Sequence, residues 1–150
     1  MSKFDPSNLL HVGLSTNDIP TERVLTPEGE HRFVVKKVRI DSGDKDGKTW
    51  AKVNLLVALD DQAVLSELGV KELGTSYSFF LDLTEEGMIA TGPNQNVRLG
   101  QMYQAAGLEG DEVSLSQLEG RQFIGAVRHR IAEKSGTTFD EITAVTALSE

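Results

Sequence analysis

Asn96-Val97-Arg98-Leu99-Gly100-Gln101-Met102-Tyr103-Gln104-Ala105-Ala106-Gly107, followed by Leu118-Glu119-Gly120-Arg121-Gln122-Phe123 and two further apolar runs, is the stretch that decides the fold. Leu99, Met102, Tyr103 and Ala106 keep the i, i+3, i+4, i+7 spacing of one helix face, which predicts a short helix over 96–106. Asn94 or Asn96 caps it and Gly107 closes it. Ser114 opens one more helical turn, with Leu115 and Leu118 inward and Gly120 at its end. From residue 122 the period changes to two. Phe123, Val127 and Ile131 fall on one side of a strand over 122–132, and Arg128 and Arg130 on the other. The turn Lys134-Ser135-Gly136-Thr137 leads to a last strand over 139–148, in which Ile142, Ala144, Thr146 and Leu148 alternate with Glu141, Thr143 and Val145.

Three more strands precede this run. Residues 31–41 mix β-branched and basic side chains and end in a turn-rich loop over 42–47. In 49–59, Val53, Leu55, Val57 and Leu59 point one way and Trp50, Lys52, Asn54 and Leu56 the other. Asp60 and Asp61 cap a short helix whose Val64, Leu65 and Leu68 share a face and which stops at Gly69. The third strand, 75–84, sets Tyr77, Phe79, Leu81 and Leu83 against Ser78, Phe80 and Asp82. Five strands with a helix between the third and fourth predict a mainly β fold, a five-stranded OB-like barrel. Residues 31–150 form this barrel domain, and 1–30 form an extended N-terminal arm broken by Pro6, Pro20 and Pro27. The arm carries Phe4, Leu9, Leu10, Val12, Leu14 and Val24, which a wholly solvated tail would lack, so it is expected to lie on the barrel or on a partner.

At 150 residues the chain suits one domain that buries about two-thirds of its unfolded surface. It has no cysteine, which excludes disulfides and thiolate metal sites and fits a reducing compartment. No leader-like segment opens it, and no window reaches the roughly 18 apolar residues of a membrane span. The net charge of −8 opposes phosphate binding in total, yet its distribution is uneven. Arg32, Lys36, Lys37, Arg39, Lys45, Lys48 and Lys52 crowd the first two strands, and Arg121, Arg128, Arg130 and Lys134 the fourth. A basic face on an acidic body is the expectation.

Catalytic motifs are missing. Gly43-Asp44-Lys45-Asp46-Gly47-Lys48-Thr49 resembles a P-loop, but its first glycine is one residue too close and a strand, not a helix, follows. As a calcium loop it fails because Ser42 and Val53 stand where carboxylates belong. His11, His31 and His129 have no metal-site spacing. The acid pairs Asp60-Asp61 and Glu85-Glu86 are sequence neighbours, better explained by capping and solvation than by acid/base work. The sequence therefore points to a protein that is not an enzyme and uses neither cofactor nor metal.

What remains is a set of cations and rings on the non-core faces: Lys37, Arg39, Trp50, Lys52, Phe80, Arg128 and Arg130. Single-stranded nucleic acid is held by basic side chains along its backbone and by rings on which bases stack, at about 1–3 kcal/mol per base. The competing reading is that Trp50 and Phe80 lie under the arm or a neighbouring subunit while the cations solubilise a β surface.

Pro27-Glu28-Gly29-Glu30-His31, Phe79-Phe80-Leu81-Asp82-Leu83-Thr84, Asn96-Val97-Arg98-Leu99-Gly100-Gln101, Ala105-Ala106-Gly107-Leu108 and Leu118-Glu119-Gly120-Arg121-Gln122-Phe123, in this order, resemble small bacteriophage single-stranded DNA-binding proteins of the OB-fold type. The opening Phe4-Asp5-Pro6 is similar too. The resemblance implies a protein that coats single-stranded DNA during phage replication or recombination, without sequence preference, in the cytoplasm of the infected host cell. It supplies no binding residues beyond the expectation of a groove. Many such proteins end in an acidic recruiting tail, whereas this chain ends Thr146-Ala147-Leu148-Ser149-Glu150, so recruitment by a tail is not expected. The alternative is a phage structural or assembly protein, a virion component whose arm clasps a second copy or another phage protein.

Overall fold

The computed structural model of the chain describes residues 5–148, so Phe4, Ser149 and Glu150 lie outside the described residues. Strands β1 (Gly29–Lys45), β2 (Lys48–Leu59), β3 (Gly74–Leu81), β4 (Gln122–Ile131) and β5 (Thr138–Thr146) form one antiparallel sheet in the order β3-β2-β1-β4-β5. Helix α1 (Gln62–Leu68) joins β2 to β3, and α2 (Val97–Ala105) falls between β3 and β4, as expected. The expected closed barrel is not seen in the hydrogen bonding: β3 and β5 are the sheet's edges, and no backbone ladder joins them among the described residues. Side chains bridge that edge instead. Asp140 of β5 accepts from the Thr75 hydroxyl of β3 at 3.2 Å and from the Thr26 N–H at 2.9 Å, tying both strands to the incoming chain.

The core lies on the concave side. β2 alternates without interruption, with Val53, Leu55, Val57 and Leu59 buried. In β1, Phe33 and Val35 point inward, and Phe33 stacks on Phe123 of β4 with centroids 5.7 Å apart. At Lys36 the pairing steps from Val35↔Val57 to Lys37↔Leu56, a bulge that resets the period. A strict period of two would have turned Lys37 and Arg39 into the core. The bulge turns them out. Leu99, Met102 and Ala105 of α2, with Leu118 from the turn Leu115–Leu118, complete the core.

Several sequence expectations change. β1 runs through the segment read as a loop, to Lys45, because Asp46 and Gly47, at φ 53° and 78°, make the two-residue turn that continues a right-twisted hairpin. A second bulge, at Thr143 of β5, reverses the alternation beyond it: Val145 turns toward the core, while Ala144 and Thr146 are exposed. Ile131 is 65% exposed rather than core, because β4 runs past the packed part of the sheet. Asn96 stands at the N-cap of α2, but its side chain bonds to the Asp82 N–H and to the Asp82 and Ala90 carbonyls, pinning the loop before the helix. Over 5–24 every residue of the arm is exposed, and of these Arg23 lines a groove of the domain. Only Leu25 to Pro27 turn inward, and Thr26 is fully buried.

Candidate nucleic-acid interface

Residues paired directly across antiparallel strands project from the same face. On the outer face of β1, β2 and β3 the pairing therefore builds rows: Gly43 with Trp50, Asp41 with Lys52 and Phe80, Arg39 with Asn54 and Ser78, and Lys37 with Leu56 and Ser76. Five of the seven sequence candidates, Lys37, Arg39, Trp50, Lys52 and Phe80, share this face. The regular alternation of β2 centres it, and the Lys36 bulge brings the β1 cations to it.

The rings form one cluster. Trp50 meets Phe80 edge-on, with centroids 6.2 Å apart at 74°, and the Lys52 Nζ sits 5.5 Å from the centre of the Phe80 ring. The indole lies against Gly43, where an added Cβ would come within 2.9 Å of Trp50 Cζ2. Gly43 thus lets the ring lie flat on the neighbouring strand. Phe80 is 64% exposed and the arm does not cover it. Beside the cluster Asn54 donates to Asp41 and accepts from Ser78 at 2.6 Å, which engages the carboxylate of the row across three strands.

The face continues over the seam between β3 and β5. A groove there of about 450 Å³ is lined by Lys52, Ser78, Arg98, Arg130, Phe139 and Glu141, among others. Arg130 of β4 lies over Phe139 with its guanidinium carbon 4.8 Å from the ring centre. Its Nε stands 3.8 Å from Glu141, a long and exposed pair worth at most about 1 kcal/mol, which leaves the guanidinium able to bind a phosphate. Arg98, in the first turn of α2, supplies a third cation from a third element. Burial raises the Tyr77 phenol above its ordinary range, and the nearby Arg98 charge offsets part of that.

The structure does not bring Arg128 into this groove. It points outward from β4, opposite Glu141, and lines a separate cleft with Glu28 and Glu30. The sequence pattern does not single out Arg98 or Phe139, since the apolar spacing of α2 and the start of the last strand account for both positions. In all, Lys37, Arg39, Lys52, Arg98 and Arg130 stand against Asp41, Asp140 and Glu141. The positive excess is modest, and the exposed Phe80 and the half-buried Trp50 and Phe139 adjoin it. Among the described residues no cluster of His, Asp and Glu has a metal-holding arrangement, and no helix is long and apolar enough to cross a membrane.

No family model fits the chain, and no curated protein is similar to it at a significant level.

Proposed function

We propose that the protein binds single-stranded nucleic acid without sequence preference, and that its ligand is the single-stranded DNA exposed during phage replication or recombination in the infected cell. In this reading the five strands act as an OB-like barrel whose last seam, between β3 and β5, is held by side chains. The observation that carries it is the uncovered cluster of Trp50, Phe80 and Lys52, continuous with Arg130 and Arg98 across that seam. Rings take bases and cations follow phosphates, and neither step needs a cofactor or a catalytic group. The competing idea places these rings under the arm or a neighbouring subunit; residues 5–24 are all exposed and Phe80 is 64% exposed, which speaks against the arm as their cover. Titration of labelled oligothymidine against a duplex of equal length tests the proposal. Preference for the single strand, weakening steeply with salt, supports it; equal or absent binding at low salt overturns it.

A second reading has one observation in its favour. The exposed apolar arm suits an assembly protein that clasps a neighbour in the virion, and that reading predicts association without any affinity for oligothymidine.

A further inference from the structure

Strand β1 keeps an open edge beyond the point where β4 leaves it. The ladder to β4 covers only Gly29 to Val34, and Val35 is held by backbone bonds to Gly120 and Arg121. From there β1 runs on to Lys45 with β2 on its other side alone. The Val38 N–H points away from β2, to the Glu119 carboxylate at 3.2 Å. Alternation sends the N–H and C=O of Ile40 and Ser42 the same way, and no ladder or loop bond among the described residues takes them. Ile40 is 52% exposed, and Arg39, Asp41, Ser42 and Asp44 beside it are exposed too. Edge strands are commonly kept single by proline or by charged side chains, lysine above all. Residues 38–44 hold neither proline nor lysine.

The charges on this edge complement their own reverse. With a second copy antiparallel and Ile40 opposite Ile40, Arg39 stands opposite the partner's Asp41, Asp41 opposite the partner's Arg39, and Val38 opposite the partner's Ser42. Lys36 and the partner's Asp44 meet at each end. In this register the free N–H and C=O groups of Val38, Ile40 and Ser42 bond one another, as an antiparallel ladder requires. Glu119 is exposed and yields the Val38 N–H to the incoming carbonyl. The two nearest registers with the same bonding fail on charge: one sets Arg39 against the partner's Arg39, and the other sets Asp41 against the partner's Asp41 and Lys37 against the partner's Lys45. The chain's own arm is a poor match for the edge, because residues 5–21 contain no lysine or arginine to set against Asp41 and Asp44.

We propose that two copies pair edge to edge along residues 38–42 of β1, with Ile40 on the two-fold axis and Arg39 and Asp41 exchanged between them. The interface is isologous, so it closes at the dimer and does not extend into chains of copies. It covers the two Ile40 side chains, which lie side by side, and joins the two sheets into one. An axis perpendicular to that sheet puts both outer faces on the same side, where Trp50, Lys52 and Phe80 of each copy stay open. The pairing itself needs no nucleic acid.

Sedimentation equilibrium of the full chain, without nucleic acid, tests the proposal. The protein should sediment as a dimer, and Arg39→Asp and Asp41→Arg should each raise the dissociation constant about tenfold or more, since symmetry doubles every reversed pair. An equal mixture of the two variants should recover the dimer, because each then meets the opposite charge in both pairs. Ile40→Cys gives a second readout in a chain with no cysteine of its own. Directly opposite residues of a bonded pair stand about 5.5 Å apart at Cα, within disulfide reach, so mild oxidation should link Ile40→Cys copies and leave Ser42→Cys copies unlinked. Residues 39–42 are all exposed, so these substitutions keep the fold, which a thermal melt checks. Wild-type protein that stays monomeric at its highest soluble concentration overturns the pairing. So does any of three other results: variants that associate as tightly as wild type, a mixture that recovers nothing, or equal linking at positions 40 and 42.

Discussion

Phe80→Ala separates binding from folding. The ring is 64% exposed, so only about a third of the roughly 1.5–3 kcal/mol of a fully buried side chain is at stake, on the order of 0.5–1 kcal/mol. The Lys52 ammonium over the ring adds about 0.5–1 kcal/mol. Folding should therefore lose about 1–2 kcal/mol, a drop in Tm of several degrees for a chain of this length. Loss of a base-stacking platform costs about 1–3 kcal/mol, which is about 5- to 150-fold in Kd. Anisotropy of labelled oligothymidine at fixed low salt reads the affinity, and a thermal melt reads the fold. An affinity change smaller than about twofold in a folded variant refutes the role given to the ring. A collapse in Tm as large as that of a core truncation would refute its exposure.

Four further outcomes follow from the same geometry. Lys52→Ala and Arg130→Ala should each flatten the slope of log affinity against log salt by about 0.7, whereas Arg128→Ala should leave it nearly unchanged, since Arg128 faces acidic neighbours; equal slopes for all three would contradict the assignment. Phe33→Ala removes a fully buried ring stacked on Phe123 and should cost about 3–5 kcal/mol in denaturant unfolding. Thr26→Val should stabilise the protein by about 1 kcal/mol, because the Thr26 hydroxyl is buried with no hydrogen-bond partner among the described residues while its backbone bonds are kept. Burial raises the Tyr77 and Tyr103 phenols. A folded-state pKa above the unfolded one gives stability that is complete below about pH 10 and falls as pH rises past it, which alkaline unfolding monitored by phenolate absorbance will show.

The parts legible in the sequence are those where one strand obeys one period. β2 has no bulge, so Val53, Leu55, Val57 and Leu59 were read as core and Trp50, Lys52, Asn54 and Leu56 as the opposite face, and the structure agrees. Where a bulge intervenes, alternation fails. The Thr143 bulge exchanged Val145 for Ala144 and Thr146, and no residue type in that segment announces it. The Lys36 bulge acted in the other direction, turning Lys37 and Arg39 outward, the side on which their charge places them. The length of β1 was hidden because Ser42, Gly43 and Asp44 have turn composition, although Gly43 serves the ring of Trp50 across the ladder. The meeting of Lys52 with Arg130 and Arg98 depends on the curl that brings β3 near β5. That curl is a property of the whole sheet, and Asp140, which anchors it, reads in sequence as one more surface acid.

Trp50 is the sole tryptophan of the chain, so intrinsic fluorescence reports on the proposed binding face alone. Oligothymidine titrated into the full-length protein at low salt should quench that emission to a saturating plateau, and added salt should reverse it, because a base stacked on or beside the indole is held partly by phosphate contacts to Lys52 and Arg130. Emission that stays flat through the titration at low salt would contradict the account.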